Sequence, residues 1–299
     1  MSSCITTTVV TSTTVAAPPP DVIPPPSAPL TLLGNWASAY THRVQLALKL
    51  KGLEFEYVEE NLAEKSASLL THNPIHKKVP VLLHAGHSIP ESIIILEYID
   101  EAWSDVHPIM PSDAIERSVI RFWSHFIDSK LGAEIATVFR SSGGEQEMAV
   151  KEVRENLGMI ERELREGFFK GRRFFGGEKI GLLDIVLGCG SYWLSVFQTV
   201  LDVNLVDDKS FPLFAAWLRR FEELDEVKEI IPATERLLEY ATALRQMLLG
   251  LAALKLSPPI STTANPPPPP PTATTATPKS CVVPDANGDV IVADTFADV

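Results

Sequence analysis

Cysteine is scarce: 299 residues hold 3, at Cys4, Cys189 and Cys281, too few and too scattered for a disulfide framework or a zinc-ligand spacing. A reducing cytoplasmic compartment is therefore the expectation. Histidine offers no metal pair either, and His42 and His76 read as polar groups without a ligand partner. No basic run occurs in a chain of net charge −12, which argues against nucleic acid and against an anionic membrane surface as partners. No apolar stretch reaches the ~20 residues of a membrane span. Lysine and arginine are missing before Arg43, whereas a secretory signal needs a basic start and a transit peptide usually carries arginine. Residues 1–28, rich in Ser, Thr, Ala and Pro, read as a disordered arm, with a plastid-targeting segment as the alternative.

Apolar residues are plentiful. A hydrophobic fraction of 45% supports two small cores, one in a domain over residues 29–104 and one in an all-helical domain over 112–250. The first segment reads as strand 30–34, helix 39–51, strand 54–59, helix 64–71, strands 80–84 and 87–89, and helix 91–103. That βαβ-then-ββα order is a thioredoxin-like α/β unit with a mixed sheet. After a linker through 104–111, Asp113 and Glu116 form a capping-box pattern that opens a run of helices at 113–138, 145–167, 182–202, 211–223 and 232–250. Gly181 followed by Asp184 marks a cap at the start of a buried helix, a structural role. From 255 to 299 the chain is again Pro-rich, with six consecutive prolines from Pro266 to Pro271, and reads as a disordered tail whose polyproline run is a possible docking segment for a partner protein.

The most informative residue is Ser38. It follows the short strand that ends at Gly34 and precedes a helix whose apolar face is Tyr40, Val44, Ala47 and Leu48. A serine there is a favoured cap, worth about 1 kcal/mol with no chemistry involved. The same place also joins a hydroxyl to free backbone N–H groups, which together hold an anion such as a thiolate. Further on, Asn73-Pro74-Ile75-His76-Lys77-Lys78-Val79-Pro80-Val81 sets two lysines before a Val-Pro bond and a strand. An X-Pro bond is where a cis peptide is cheap, and Pro80 at the strand start turns the backbone of Val79 outward to pair with an extended peptide. Glu91-Ser92 then opens another helix, an acid for an ammonium beside a helix mouth for a carboxylate. Together these sites suit a small peptide carrying a thiol, a carboxylate and an amine.

These motifs resemble the glutathione transferases, most closely the plant tau class. The likeness rests on Trp36-Ala37-Ser38-Ala39-Tyr40, on residues 73–82 and 91–100, on Arg121-Phe122-Trp123, and on Phe174-Phe175-Gly176-Gly177-Glu178-Lys179-Ile180-Gly181-Leu182-Leu183-Asp184, and covers about residues 29–245. It implies the glutathione transferase fold, a serine-type transferase, glutathione as co-substrate with no resident cofactor or metal, and a homodimer. Carried across, Ser38 is the catalytic serine that donates to the glutathione sulfur. Lys65 and Lys78 lie at the glycine end of glutathione, Val79 pairs with its cysteinyl backbone, and Glu91 and Ser92 bind its γ-glutamyl end with Asp128 nearby. Tyr40 and Trp193 face a hydrophobic electrophile, while Pro80 and Asp184 are structural. The implied role is conjugation in detoxification of xenobiotics and stress response, with glutathione peroxidase activity beside it. A non-catalytic carrier of apolar ligands on the same fold is the alternative.

The chain departs from the family pattern at Ala37 and Ala39, where proline is frequent, and around 131–136, where a tyrosine and an arginine often face the second substrate. Without proline the Ser38 turn is expected to be less rigid by up to about 1 kcal/mol, and the electrophile pocket smoother and more apolar. The energetics of thiolate formation are within reach. Lowering a thiol pKa from about 8.5 by two units needs about 2.7 kcal/mol, a hydrogen bond to a charged acceptor supplies about 1.5–3, and a helix N-terminus about 0.3–2. A hydroxyl, unlike a cysteine, forms no mixed disulfide with glutathione, which favours conjugation over thiol exchange.

Overall fold

A computed structural model of the protein describes residues 28–256. The arm and tail assigned to 1–28 and 255–299, with Cys4, Cys281 and the proline run, lie essentially outside the described residues. The first unit contains strands β1 (Leu30–Gly34), β2 (Glu56–Glu59), β3 (Val81–His84) and β4 (His87–Pro90) with helices α1 (Ala39–Leu50), α2 (Ala67–His72) and α3 (Ser92–Ala102). The sheet runs β2-β1-β3-β4, with β1 parallel to β2 and the other pairs antiparallel, the mixed arrangement of a thioredoxin-like unit.

Alternation along the strands decides what each face buries. Leu32 and Leu82 point into the main core beneath α1 and α3, while their neighbours Leu33 and Val81 join Leu62, Leu69 and Val79 in a smaller cluster under α2. Gly34 closes β1 because nothing larger fits: a Cβ there would come within 2.4 Å of the Thr41 side chain.

The second unit is helical: α4 (Ala114–Phe126), α5 (Gly132–Arg140), α6 (Gly144–Glu166), α7 (Leu182–Leu201), α8 (Pro212–Glu222), α9 (Asp225–Lys228) and α10 (Thr234–Leu256). The single helix expected at 113–138 is two, α4 and α5, joined by a turn of π-helix at Ile127–Leu131. The short α9 carries too little periodicity to be read from sequence. Only half of the expected capping box at Asp113 forms. Asp113 accepts from the Glu116 N–H at 2.8 Å, but the Glu116 carboxylate turns away to Arg172.

Asp184 is fully buried at the start of α7, where it accepts from the N–H groups of Phe175, Gly176 and Gly181 and from the Trp217 indole, all within 2.8–2.9 Å. Burial pushes its carboxyl pKa up, against four donors that favour the anion. It ties three segments of the helical unit together. Helix α7 then packs on α1, so the core runs without a break from one unit into the other. Among the described residues no helix is long and apolar enough to cross a membrane.

Candidate active site

Register brings the motifs together. Leu33 pairs with Val81 and Val81 with Pro90, so the end of β1, the start of β3 and the end of β4 lie at one end of the sheet. The residues that continue from those ends are Asn35–Ser38, Val79–Pro80 and Glu91–Ser92. The Val79–Pro80 peptide is cis. Two non-glycine residues beside it, Lys77 and Glu91, hold positive φ angles of 56° and 74°. Such backbone is uncommon for residues with a side chain and clusters at ligand sites.

A cleft of about 420 Å³ opens at this end of the sheet, within the range of small-ligand sites. Lys78, Val79, Pro80, Glu91, Ser92, Tyr40 and Asp128 all line it, joined by Asn73 and His76. Asn73 is buried and shapes the wall by donating to the Lys78 carbonyl at 2.9 Å and accepting from the His76 N–H. The His76 imidazole stands 3.8 Å from the Glu91 carboxylate. Lys65, two residues before α2, does not line the cleft.

Arg43, behind the cleft, is the residue that sequence reasoning missed. Its guanidinium is buried and forms a bidentate pair with Asp128 at 2.7 and 3.1 Å, donates to Ser92 Oγ at 3.2 Å, and donates twice to the Val186 carbonyl. Both Asp128 oxygens are thus engaged by Arg43. The Ser92 oxygen accepts from the guanidinium, which leaves its hydroxyl proton to donate elsewhere. A signal was present: Arg43 lies three residues after Tyr40 and four before Ala47, on the apolar face of α1, where an unpaired charge is not tolerated.

Ser38 occupies the N-cap of α1, and its Oγ accepts from the Thr41 N–H at 3.3 Å. This again leaves the hydroxyl proton as a donor. The residue is fully shielded and lines neither the cleft nor the adjoining cavity. Capping is the physical reason, because the side chain folds inward over the first turn it serves.

The adjoining cavity, about 100 Å³, lies between α1, the π-helical turn, α5 and α7. Tyr40, Asp128 and Trp193 are in its wall, together with Ile127, Leu131, Ile135, Ala136 and Phe197. Trp193 is almost entirely buried, and its indole N–H donates to the Ala37 carbonyl at 3.2 Å. Cys189, nearby on α7, is buried, and burial pushes its thiol up to about 12, so it stays protonated. Among the described residues no cluster of His, Cys, Asp and Glu is built to hold a metal.

A thioredoxin-like unit with a polar cleft at the sheet end, packed on a helical unit with an apolar cavity beside it, is the architecture of a glutathione transferase. Family models agree: the one described as "Glutathione S-transferase, N-terminal domain" matches residues 28–101, and "Glutathione S-transferase, C-terminal domain" matches 126–225. Glutathione transferase GST 23 of Zea mays is 46% identical over 219 residues, 73% of this chain and 96% of that protein. Glutathione S-transferase U8 of Arabidopsis thaliana is 40% identical over 71% of this chain and 93% of its own length. Among solved structures, the tau-class enzyme from mango, Mangifera indica, superposes with a TM-score of 0.69 at 40% identity, covering 72% of this chain and 98% of the other. A rice enzyme solved in complex with glutathione gives 0.68 at 34% identity, covering 74% and 97%. The chain belongs to the glutathione transferase family, tau class, and is a glutathione transferase.

Proposed function

We propose that this enzyme binds glutathione in the 420 Å³ cleft and transfers its thiolate to hydrophobic electrophiles seated in the neighbouring apolar cavity. The observation that carries the reading is the convergence of Lys78, Val79, Glu91 and Ser92 on one cleft at the sheet end, where the shielded Ser38 caps the adjoining helix. Glu91 faces the ammonium of the tripeptide, and the Ser92 hydroxyl donates to its α-carboxylate. Asp128 acts there through Arg43, which orients Ser92. Val79 supplies backbone to the cysteinyl residue and Lys78 faces the glycine carboxylate, while Lys65, outside the cleft lining, adds positive charge from the loop before α2. Ser38 keeps its hydroxyl proton and donates it to the sulfur, stabilising the thiolate together with the α1 N-terminus. The mode of action is conjugation, with peroxide reduction by the same thiolate as a secondary activity. A detoxifying role, a homodimer and a cytoplasmic setting complete the reading.

The test is the thiolate absorbance of bound glutathione against pH, with turnover of 1-chloro-2,4-dinitrobenzene. Ser38→Ala is expected to cut turnover at least about tenfold and to leave glutathione affinity within a few-fold, since the bond serves the sulfur alone. Because Ser38 is shielded, unchanged turnover in this variant would remove it from the chemistry. A wild-type complex whose sulfur stays protonated well above neutrality would overturn the mechanism.

A further inference from the structure

The turn from Asn35 to Ser38 carries the proposed thiolate donor but contains no proline, and its backbone is held by bonds that come from two directions. From its own unit, Glu59 accepts from the Trp36 N–H at 3.1 Å, the Asn35 side-chain oxygen accepts from the Ala37 N–H at 3.0 Å, and the Asn35 carbonyl accepts from the Ser38 N–H at 3.0 Å. The two carbonyls just before Ser38 are held differently. Trp193 of α7 donates its indole N–H to the Ala37 carbonyl at 3.2 Å, across 156 residues of chain. The Trp36 carbonyl lies 3.1 Å from His42 Nε2, and His42 Nδ1 lies 2.6 Å from the Tyr192 hydroxyl. A carbonyl only accepts, so Nε2 carries the proton, and Nδ1 accepts from Tyr192. Burial supports this neutral tautomer by holding His42 down to about 4, and it keeps Tyr192 protonated as a donor. Two consecutive residues of α7 thus bear on two consecutive carbonyls of the turn, Trp193 directly and Tyr192 through His42 of α1.

We propose that Trp193 is the positioning residue of the Ser38 turn, assisted by the Tyr192–His42 pair, so that the helical unit sets the direction of the hydroxyl offered to the glutathione sulfur. Trp193 is also a wall of the apolar cavity, so the same ring that borders the second substrate steadies the donor to the first. The claim about thiolate activation rests on the function proposed above; the claim about the turn does not.

The experiment compares wild type, Trp193→Phe, Tyr192→Phe and the double variant Trp193→Phe/Ala39→Pro. Phenylalanine keeps an aromatic ring and removes the donor. Proline at 39, the first helical position, restricts the backbone of Ser38 from within the chain, and the observed φ of −79° and ψ of 115° at Ser38 are compatible with it. Amide hydrogen exchange of a peptide spanning residues 35–41, measured without ligand, reads the turn directly. Trp193→Phe is expected to speed exchange there about fivefold or more while α4–α6 stay unchanged, Tyr192→Phe to do so less, and the proline variant to restore it. The thiolate fraction of bound glutathione near neutral pH is expected to fall by a similar factor in Trp193→Phe, with glutathione affinity held, and to recover with proline. Unchanged exchange in Trp193→Phe overturns the positioning role, whatever the glutathione sulfur does. Faster exchange with an unmoved thiolate signal overturns the link to activation. Faster exchange in a protein whose wild-type complex shows no thiolate upholds the positioning of the turn and overturns the proposed function instead.

Discussion

The cleft at the sheet end is walled by Lys78, Glu91, Ser92 and Asp128, whereas the cavity beside it is walled mainly by Ile127, Leu131, Ile135, Ala136 and Phe197, and the two share Tyr40 and Asp128. The polar side is assembled from short loops at strand ends, fixed in register by the sheet. The apolar side is assembled from helix faces, fixed by packing. A ligand with charges at set positions needs named atoms, so each residue of the cleft should matter singly. A ligand recognised by apolar burial needs only volume, so residues of the cavity should matter collectively.

Arg43 joins the two regions, and removing it is expected to have the largest effect. Arg43→Met leaves Asp128 and the Val186 carbonyl without their donor and costs about 3 kcal/mol by urea unfolding, allowing for the partial exposure of Asp128. Glutathione affinity and binding of an apolar dye should fall together; loss of one alone would mean that the regions are independent.

His42 gives an effect of similar size that depends on pH. Its folded pKa of about 4 lies below the ordinary 6.5, so between those values the unfolded chain binds more protons than the folded one. Stability is therefore full above about pH 6.5 and declines as pH falls towards 4, by about 3 kcal/mol in all. Unfolding curves across that window should be steeper in pH for the wild type than for His42→Gln.

Smaller effects separate the regions. Ser92→Ala removes one donor from the cleft and is expected to weaken glutathione about tenfold while leaving the KM for the electrophile within twofold. Ala136→Phe fills part of the cavity and is expected to raise that KM several-fold at unchanged glutathione affinity, with about 1 kcal/mol of overpacking cost. Steady-state kinetics with each substrate varied in turn checks both, and a crossed pattern would refute the division of labour.

Local signals account for much of the site. Ser38 and Asp184 behave as caps because a short acceptor side chain at a helix start finds the same orphan N–H groups in any context. The order of strands was legible from short apolar runs and from Gly34, and Val79, Pro80, Glu91 and Ser92 flank strand ends that pair in register. Lys65 was placed by resemblance alone and is not among the residues that line the cleft. The π-helical turn at Ile127–Leu131 was not legible, since one extra residue in a helix hardly alters its apolar spacing. Arg43 was overlooked as one charge in an amphipathic helix, because its partners Ser92, Asp128 and Val186 stand 49, 85 and 143 residues away.

From its amino acids alone, this chain determined the order of strands and helices, the caps, the Val79–Pro80 start of β3 and the family to which it belongs, because each depends on near neighbours or on motifs read in order. Only the packing of α7 against α1 decided that Arg43 is held behind Ser92 and that Trp193 grips the Ala37 carbonyl. Hydrogen bonds between residues more than a hundred positions apart exist only once two cores have merged, and no local pattern encodes which buried donor will meet which carbonyl.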